Sequence, residues 1–102
     1  MLNQVILVGR LKDEIEWLDE QNAIFTLAVS RPTKDKNGEY GTDMVKIKIV
    51  GQMANNTAEY CHKGDIIGIK GRVVTEDDKI NIVAEKATFL SSHKQEDNDE
   101  DE

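Results

Sequence analysis

The sequence is a series of short β-type segments broken by glycines and polar turns, and one stretch among them has helical spacing. In the clearest segment, apolar and polar residues alternate: Val45, Ile47 and Ile49 form one face, and Lys46 and Lys48 lie on the other. This alternation predicts a half-buried strand. The predicted strands cover residues 4–11, 23–29, 44–50, 65–74 and 80–90.

The single helix is predicted between the third and fourth strands, at residues 53–61. Ala54, Ala58 and Cys61 recur at helical spacing and form a narrow apolar stripe. Cys61 on this stripe is interpreted as a small buried hydrophobe. Gly64 is placed to end the helix in the left-handed conformation.

The order β-β-β-α-β-β predicts an all-β chain with the layout of the OB-fold. That fold is a five-stranded Greek-key barrel with one helix between strands 3 and 4. Gly9, Gly68 and Gly71 lie inside predicted strands, where a closing barrel needs bends. Another small five-stranded barrel or sandwich remains the alternative from the pattern alone.

The negative charge is concentrated at one end of the chain. The formal net charge is −7, and residues 91–102 carry six acids and one base. This run has no apolar side chain to bury, so we expect a disordered acidic tail after an OB-fold domain at residues 1–90. The domain itself has 12 bases and 14 acids, so its charge does not exclude a polyanionic partner.

Several classes of protein are disfavoured. The longest apolar run, residues 5–8, is far below the roughly 20 residues that span a bilayer. One cysteine excludes an internal disulfide and a multi-cysteine zinc site. These features are typical of a cytoplasmic protein. We find no nucleophile motif, metal cluster or cofactor loop, so we expect that the protein is not an enzyme.

Four segments resemble bacterial single-stranded DNA-binding proteins: residues 3–11, 25–32, 56–64 and 67–72. They occur in the order typical of that family and span almost all of residues 1–90. The resemblance implies an OB-fold that coats single-stranded DNA in replication, recombination or repair. It also implies a homodimer or homotetramer, contacts with replication or repair proteins, and no cofactor.

The chain departs from the family where aromatic side chains typically stack on bases. Met44 and Val50 stand at two such positions, and the hairpin at residues 75–79 is short and acidic. The acidic run ends at Asp101 and Glu102 without the family's hydrophobic tip. A second hypothesis is therefore a protein-interaction or regulatory paralogue, similar to primosomal adaptors, with weak or no DNA binding.

The resemblance places the DNA backbone on the polar face of the third strand, with Lys46, Lys48 and Met44. The alternative is a solvated strand face whose lysines serve solubility. Further DNA contacts are predicted around the loop at residues 33–42, where basic side chains precede an aromatic one. An ordinary polar loop is the alternative there. These loop candidates are Arg31, Lys34, Lys36 and Tyr40.

Trp17 is a candidate stacking residue, although four acids at positions 14, 16, 19 and 20 surround it. A core or subunit-interface position is the alternative for a lone tryptophan. Phe25, Tyr60 and Phe89 are predicted to lie in the core.

Overall fold

The computed structural model describes residues 1–90. The predicted acidic tail at 91–102 lies outside these described residues. The 10-residue α1 is the one helix of the described part, and it is too short to span a membrane. The elements are β1 (Val5–Leu11), β2 (Glu16–Trp17), β3 (Asn22–Lys34), β4 (Tyr40–Val50), α1 (Gly51–Tyr60), β5 (Ile66–Glu76) and β6 (Lys79–Phe89).

The five long strands close into a barrel in the order β1-β5-β6-β4-β3, because β3 also pairs with β1. Closure occurs where Arg10 lies opposite Ala28 and Leu11 opposite Leu27. β4 and β6 are parallel, and the other pairings within residues 1–90 are antiparallel. The two-residue β2 pairs with β3. The predicted OB-fold is confirmed, with α1 between β4 and β5.

The core follows the predicted alternation of the strands. Phe25, Ile47 and Ile49 are buried, and so is Cys61. Within α1, Ala54 and Thr57 face the barrel and are fully buried. The Thr57 hydroxyl donates to the Met53 carbonyl oxygen at 2.9 Å, which satisfies it inside the core. The apolar faces therefore meet at the centre of a closed barrel. The buried apolar residues are Leu11, Ala23, Phe25, Leu27, Ile47, Ile49, Ala54, Cys61, Ile67, Ile69, Ile82 and Ala84.

The bounds of the helix differ from the prediction. α1 begins at Gly51, whose φ of 69° favours glycine and whose N–H donates to the Gln21 carbonyl oxygen at 2.8 Å. The helix ends at Tyr60, and Cys61 is already extended. Gly64 is left-handed, with a φ of 93°, but it lies in the turn that leads to β5 and does not end the helix.

The strands are longer than the sequence pattern indicates. β3 continues through Pro32, where the register with β4 shifts between Ser30 and Lys34. A proline is tolerated at such an irregularity because the ladder is already interrupted there. The predicted loop at 33–42 therefore shortens to residues 35–39.

The β5–β6 hairpin is also tighter than predicted. The strands run up to Glu76 and from Lys79, which leaves a two-residue loop. Asp77 and Asp78 have φ values of 52° and 65°, as the twist of a two-residue hairpin loop requires.

Two aromatic residues predicted in the core lie at the surface instead. Tyr60 is 54% exposed and Phe89 37%. Their ring centroids are 6.1 Å apart, so the two rings cover each other between the end of α1 and the end of β6. Phe25, by contrast, is buried as predicted.

Candidate nucleic-acid interface

The outer surface of β4 carries the predicted row of side chains. Val45, Ile47 and Ile49 face the core, so Met44, Lys46 and Lys48, which alternate with them, point outward. Met44 is 56% exposed, which leaves its thioether available to a partner. The structure therefore confirms the alternation of inward and outward side chains that the sequence predicts for this strand.

The neighbouring strands extend this surface on both sides. On β3, Ile24 lies opposite Lys48, Thr26 opposite Lys46 and Ala28 opposite Met44. On the other side, Lys48 is in register with Val83 of β6, and Val83 with Arg72 of β5. We use the name outer face for the outward residues that lie around Lys46 and Lys48 on these four strands: Ile24, Thr26, Ala28, Met44, Lys46, Lys48, Val50, Arg72 and Val83.

Two cations of the outer face are already paired with carboxylates. The Nζ of Lys48 forms an ion pair with Oε1 of Glu76 at the end of β5. Arg72 donates through Nη1 to Oε2 of Glu85 at 3.1 Å. Lys46 makes no ion pair with any of residues 1–90. It is therefore the cation of this face that is freest to meet a phosphate.

Arg31 lies on the β3–β4 hairpin and is held by Asp43. Its Nη2 donates to Oδ1 of Asp43 at 2.7 Å and its Nε to the same oxygen at 3.1 Å. The hydrogen bonds from Arg31 hold the pKa of the Asp43 carboxyl below its ordinary value. A Cβ at Gly41 would lie 3.1 Å from Cδ of Arg31, so the guanidinium arm runs across this glycine. The exposed ion pair with Asp43 thus holds the Arg31 guanidinium in place and opposes part of its charge.

The end of the same hairpin carries the remaining loop candidates. Lys34 lies opposite Tyr40, and its Nζ is 5.6 Å from the centre of the tyrosine ring, a cation–π distance. Lys36 is exposed in the turn at residues 35–39. That turn is shaped by Asp35, whose Oδ1 accepts the N–H of Asn37 at 2.8 Å. The hairpin therefore presents two cations and one aromatic ring beyond the outer face.

Trp17 lies apart from these cations. It is 39% exposed on β2 and lines a shallow cleft of about 470 Å³ with Leu18, Asp19, Glu20 and Asn55. Leu18 and Asp19 also line a second cleft of about 330 Å³, which Lys48 borders. The turn after β2 thus separates the tryptophan from the outer face. Carboxylates around the ring oppose a phosphate approach.

The sequence pattern does not indicate Glu76 as a partner of Lys48. The acidic character of the hairpin was visible, but its two-residue loop and strand register were not. The signal that favours a tight hairpin is the pair Asp77 and Asp78 between two β-type segments, because aspartate tolerates the left-handed conformation that such a loop needs. Residues 1–90 contain no group of three or more His, Cys, Asp or Glu side chains arranged to hold a metal ion.

Residues 2–97 match the model of the single-strand binding protein family. The chain is 39% identical over 105 residues to a protein of Listeria innocua named single-stranded DNA-binding protein 3, covering 90% of this chain and 66% of that one. It is 43% identical to single-stranded DNA-binding protein B of Bacillus subtilis, covering 74% and 70%. With the single-stranded DNA-binding protein of Streptococcus mutans the identity is 42% and the coverage 74% and 48%.

The chain thus spans about half the length of several relatives that it matches. Among solved structures, it resembles the small single-stranded DNA-binding protein of Streptomyces coelicolor. The TM-score is 0.64 at 18% identity, covering 88% of this chain and 95% of that one. This likeness independently supports the barrel fold.

Proposed function

The chain belongs to the single-strand binding protein family, and from this premise we propose that it binds single-stranded DNA without sequence preference. The observation that carries the proposal is the outer face of the barrel, where Lys46 and Met44 project side by side from β4. We further propose that this binding serves DNA replication, recombination or repair in the cytoplasm. The names of the relatives support the choice of ligand.

Two kinds of contact would hold the strand on the outer face. Lys46, whose ammonium group forms no ion pair within residues 1–90, is available to a phosphate, and the hairpin cations Lys34 and Lys36 lie further along. Exposed apolar side chains, Met44 and Val50, offer van der Waals contact to unstacked bases. Because neither kind of contact reads a base edge, the binding would be tolerant of sequence.

Few aromatic side chains lie near this face, so phosphate contacts would supply a large share of the affinity. Each phosphate contact to single-stranded DNA steepens the fall of affinity with salt by about 0.7 in a log–log plot. Oligo-dT of increasing length, titrated at two salt concentrations, tests the proposal. We expect binding that weakens steeply with salt, and absence of binding at low salt would refute it.

We also propose that the protein is a homodimer or homotetramer. Ile6 and Val8 on β1 are 67% and 53% exposed, an apolar surface beyond what one barrel can bury. β1 pairs with β5 along residues 5–10 but with β3 only at Arg10 and Leu11, so much of its other edge is unpaired among residues 1–90. Light scattering at micromolar concentration tests this, and a monomer would contradict it.

The second candidate function is that of a protein-interaction module, with replication or repair proteins as partners. It is favoured by the exposed Trp17 and Leu18 within an acidic surface that disfavours DNA. A pull-down from nuclease-treated cell extract separates the two functions. A specific protein that remains bound to the wild type, and is lost in Trp17→Ala, would support this candidate.

A further inference from the structure

Lys48 lies in the middle of the outer face, yet its ammonium group is already paired with a carboxylate. Its side chain is 32% exposed, and its Nζ forms an ion pair with the carboxylate of Glu76. Glu76 comes from β5, two strands away from β4 in the barrel. The carboxylate therefore reaches over β6 to the ammonium group of Lys48.

Glu76 is held in this position by its hairpin. It is the last residue of β5, paired with Lys79 across the two-residue loop. The Nδ2 of Asn81 on β6 also donates to the same Oε1 atom at 3.3 Å. The tight turn and this second hydrogen bond direct the carboxylate toward β4.

Lys46, two residues earlier on the same strand, provides the contrast. It projects from the same face but makes no ion pair within residues 1–90. The two lysines thus differ in the group that faces them and not in their strand or direction.

We propose that Glu76 acts as a built-in competitor of the DNA backbone and sets the affinity for single-stranded DNA by withholding Lys48 from phosphate. The inference rests on the proposed function. A phosphate that approaches Lys48 must displace a carboxylate that is already in place, and the displaced Glu76 then repels the strand. At Lys46, no carboxylate of residues 1–90 has to be displaced.

The test replaces Glu76 with Gln, which keeps the size of the side chain and an acceptor for Asn81 but removes the charge. We expect Glu76→Gln to bind oligo-dT about two- to fivefold more tightly at low salt, as for release of a partly exposed ion pair. The salt dependence should steepen by about 0.7, because Lys48 gains a phosphate contact.

Asp78→Asn is the matched control, because it removes one charge from the same hairpin and asparagine tolerates the φ of 65° at this position. The control should change the affinity less and leave the slope unchanged. Equal effects of Glu76→Gln and Asp78→Asn would overturn the inference while leaving DNA binding intact. Failure of the wild type to bind would instead refute the proposed function.

A double variant separates the pair from general electrostatics. In a Lys48→Gln background, Glu76→Gln should lose its specific gain and match the control, since there is no ammonium group to release. A gain that persists without Lys48 would overturn the inference. Unchanged thermal unfolding in all variants excludes an effect of folding on the affinities.

Discussion

Gly9 on β1 lies against the backbone of Ala28 on β3, so closely that a Cβ at position 9 would stand 2.4 Å from the Ala28 carbonyl oxygen. At this crossing β1 begins to pair with β3 while it is still paired with β5. The barrel closes here, and the outward positions of β3 depend on that closure.

Gly9→Ala is therefore expected to lower the free energy of unfolding by about 1–3 kcal/mol, as overpacking against backbone does. Thermal or urea unfolding measures the change. Gly68→Ala is the control, because a Cβ there would meet Val8 and Leu90 only at an ordinary 3.7 Å. Equal stability of the two variants would contradict the close approach at Gly9.

The Glu14 carboxylate gives the fold a pH-dependent contact. Its Oε2 accepts the backbone N–H of Lys63 at 3.0 Å, which lowers the pKa of Glu14 below its ordinary 4.5. The Nδ1 atom of His62 lies 3.3 Å from Oε1 of Glu14 and lowers this pKa further. Because the pKa of Glu14 is lower in the folded state than in the unfolded state, this contact stabilises the protein at pH values above the unfolded-state pKa. The stabilisation is lost as the pH falls through the folded-state pKa.

We therefore expect Glu14→Gln to unfold at a lower temperature than the wild type at pH 7, and the difference to shrink below about pH 4.5. Thermal unfolding at several pH values measures it. Glu16→Gln removes the same charge from exposed β2 without an ion pair in residues 1–90, and should show a smaller difference at pH 7. A pH-independent effect of Glu14→Gln would contradict this role.

Cys61 should be chemically inert in the folded protein. Its side chain is buried, and burial, with the nearby Asp65 carboxylate, raises the pKa of the thiol to about 11. Because the thiolate is the reactive form, a thiol reagent at pH 8 should label the native chain slowly and the urea-unfolded chain quickly. Equally fast labelling in both states would show that the end of α1 opens readily.

The strand faces could be predicted from sequence because period-two alternation is local. Ile47 and Ile49 fall inside the barrel and Lys46 outside, as the pattern indicates. The bounds of the helix and strands could not be predicted in the same way, because they depend on contacts between segments that are distant in sequence. The start of α1 at Gly51 uses the carbonyl oxygen of Gln21, which the linear pattern does not bring near it.

The contacts between side chains could not be predicted from sequence for the same reason. Tyr60 and Phe89 look like core residues by hydrophobicity, but they meet at the surface across 29 positions of sequence. The pairing of Lys48 with Glu76 follows from the register of a tight hairpin with β4, which composition does not encode. Which residues face outward was predictable, while what each one faces required the folded barrel.

Lys46 should carry more of the DNA affinity than Lys48, because it has no carboxylate partner within residues 1–90. Lys46→Gln is expected to weaken oligo-dT binding roughly three- to tenfold and to reduce the salt slope by about 0.7. Lys48→Gln should leave the slope nearly unchanged. Titrations at three or more salt concentrations measure both quantities, and a larger slope change for Lys48→Gln would show that DNA displaces Glu76.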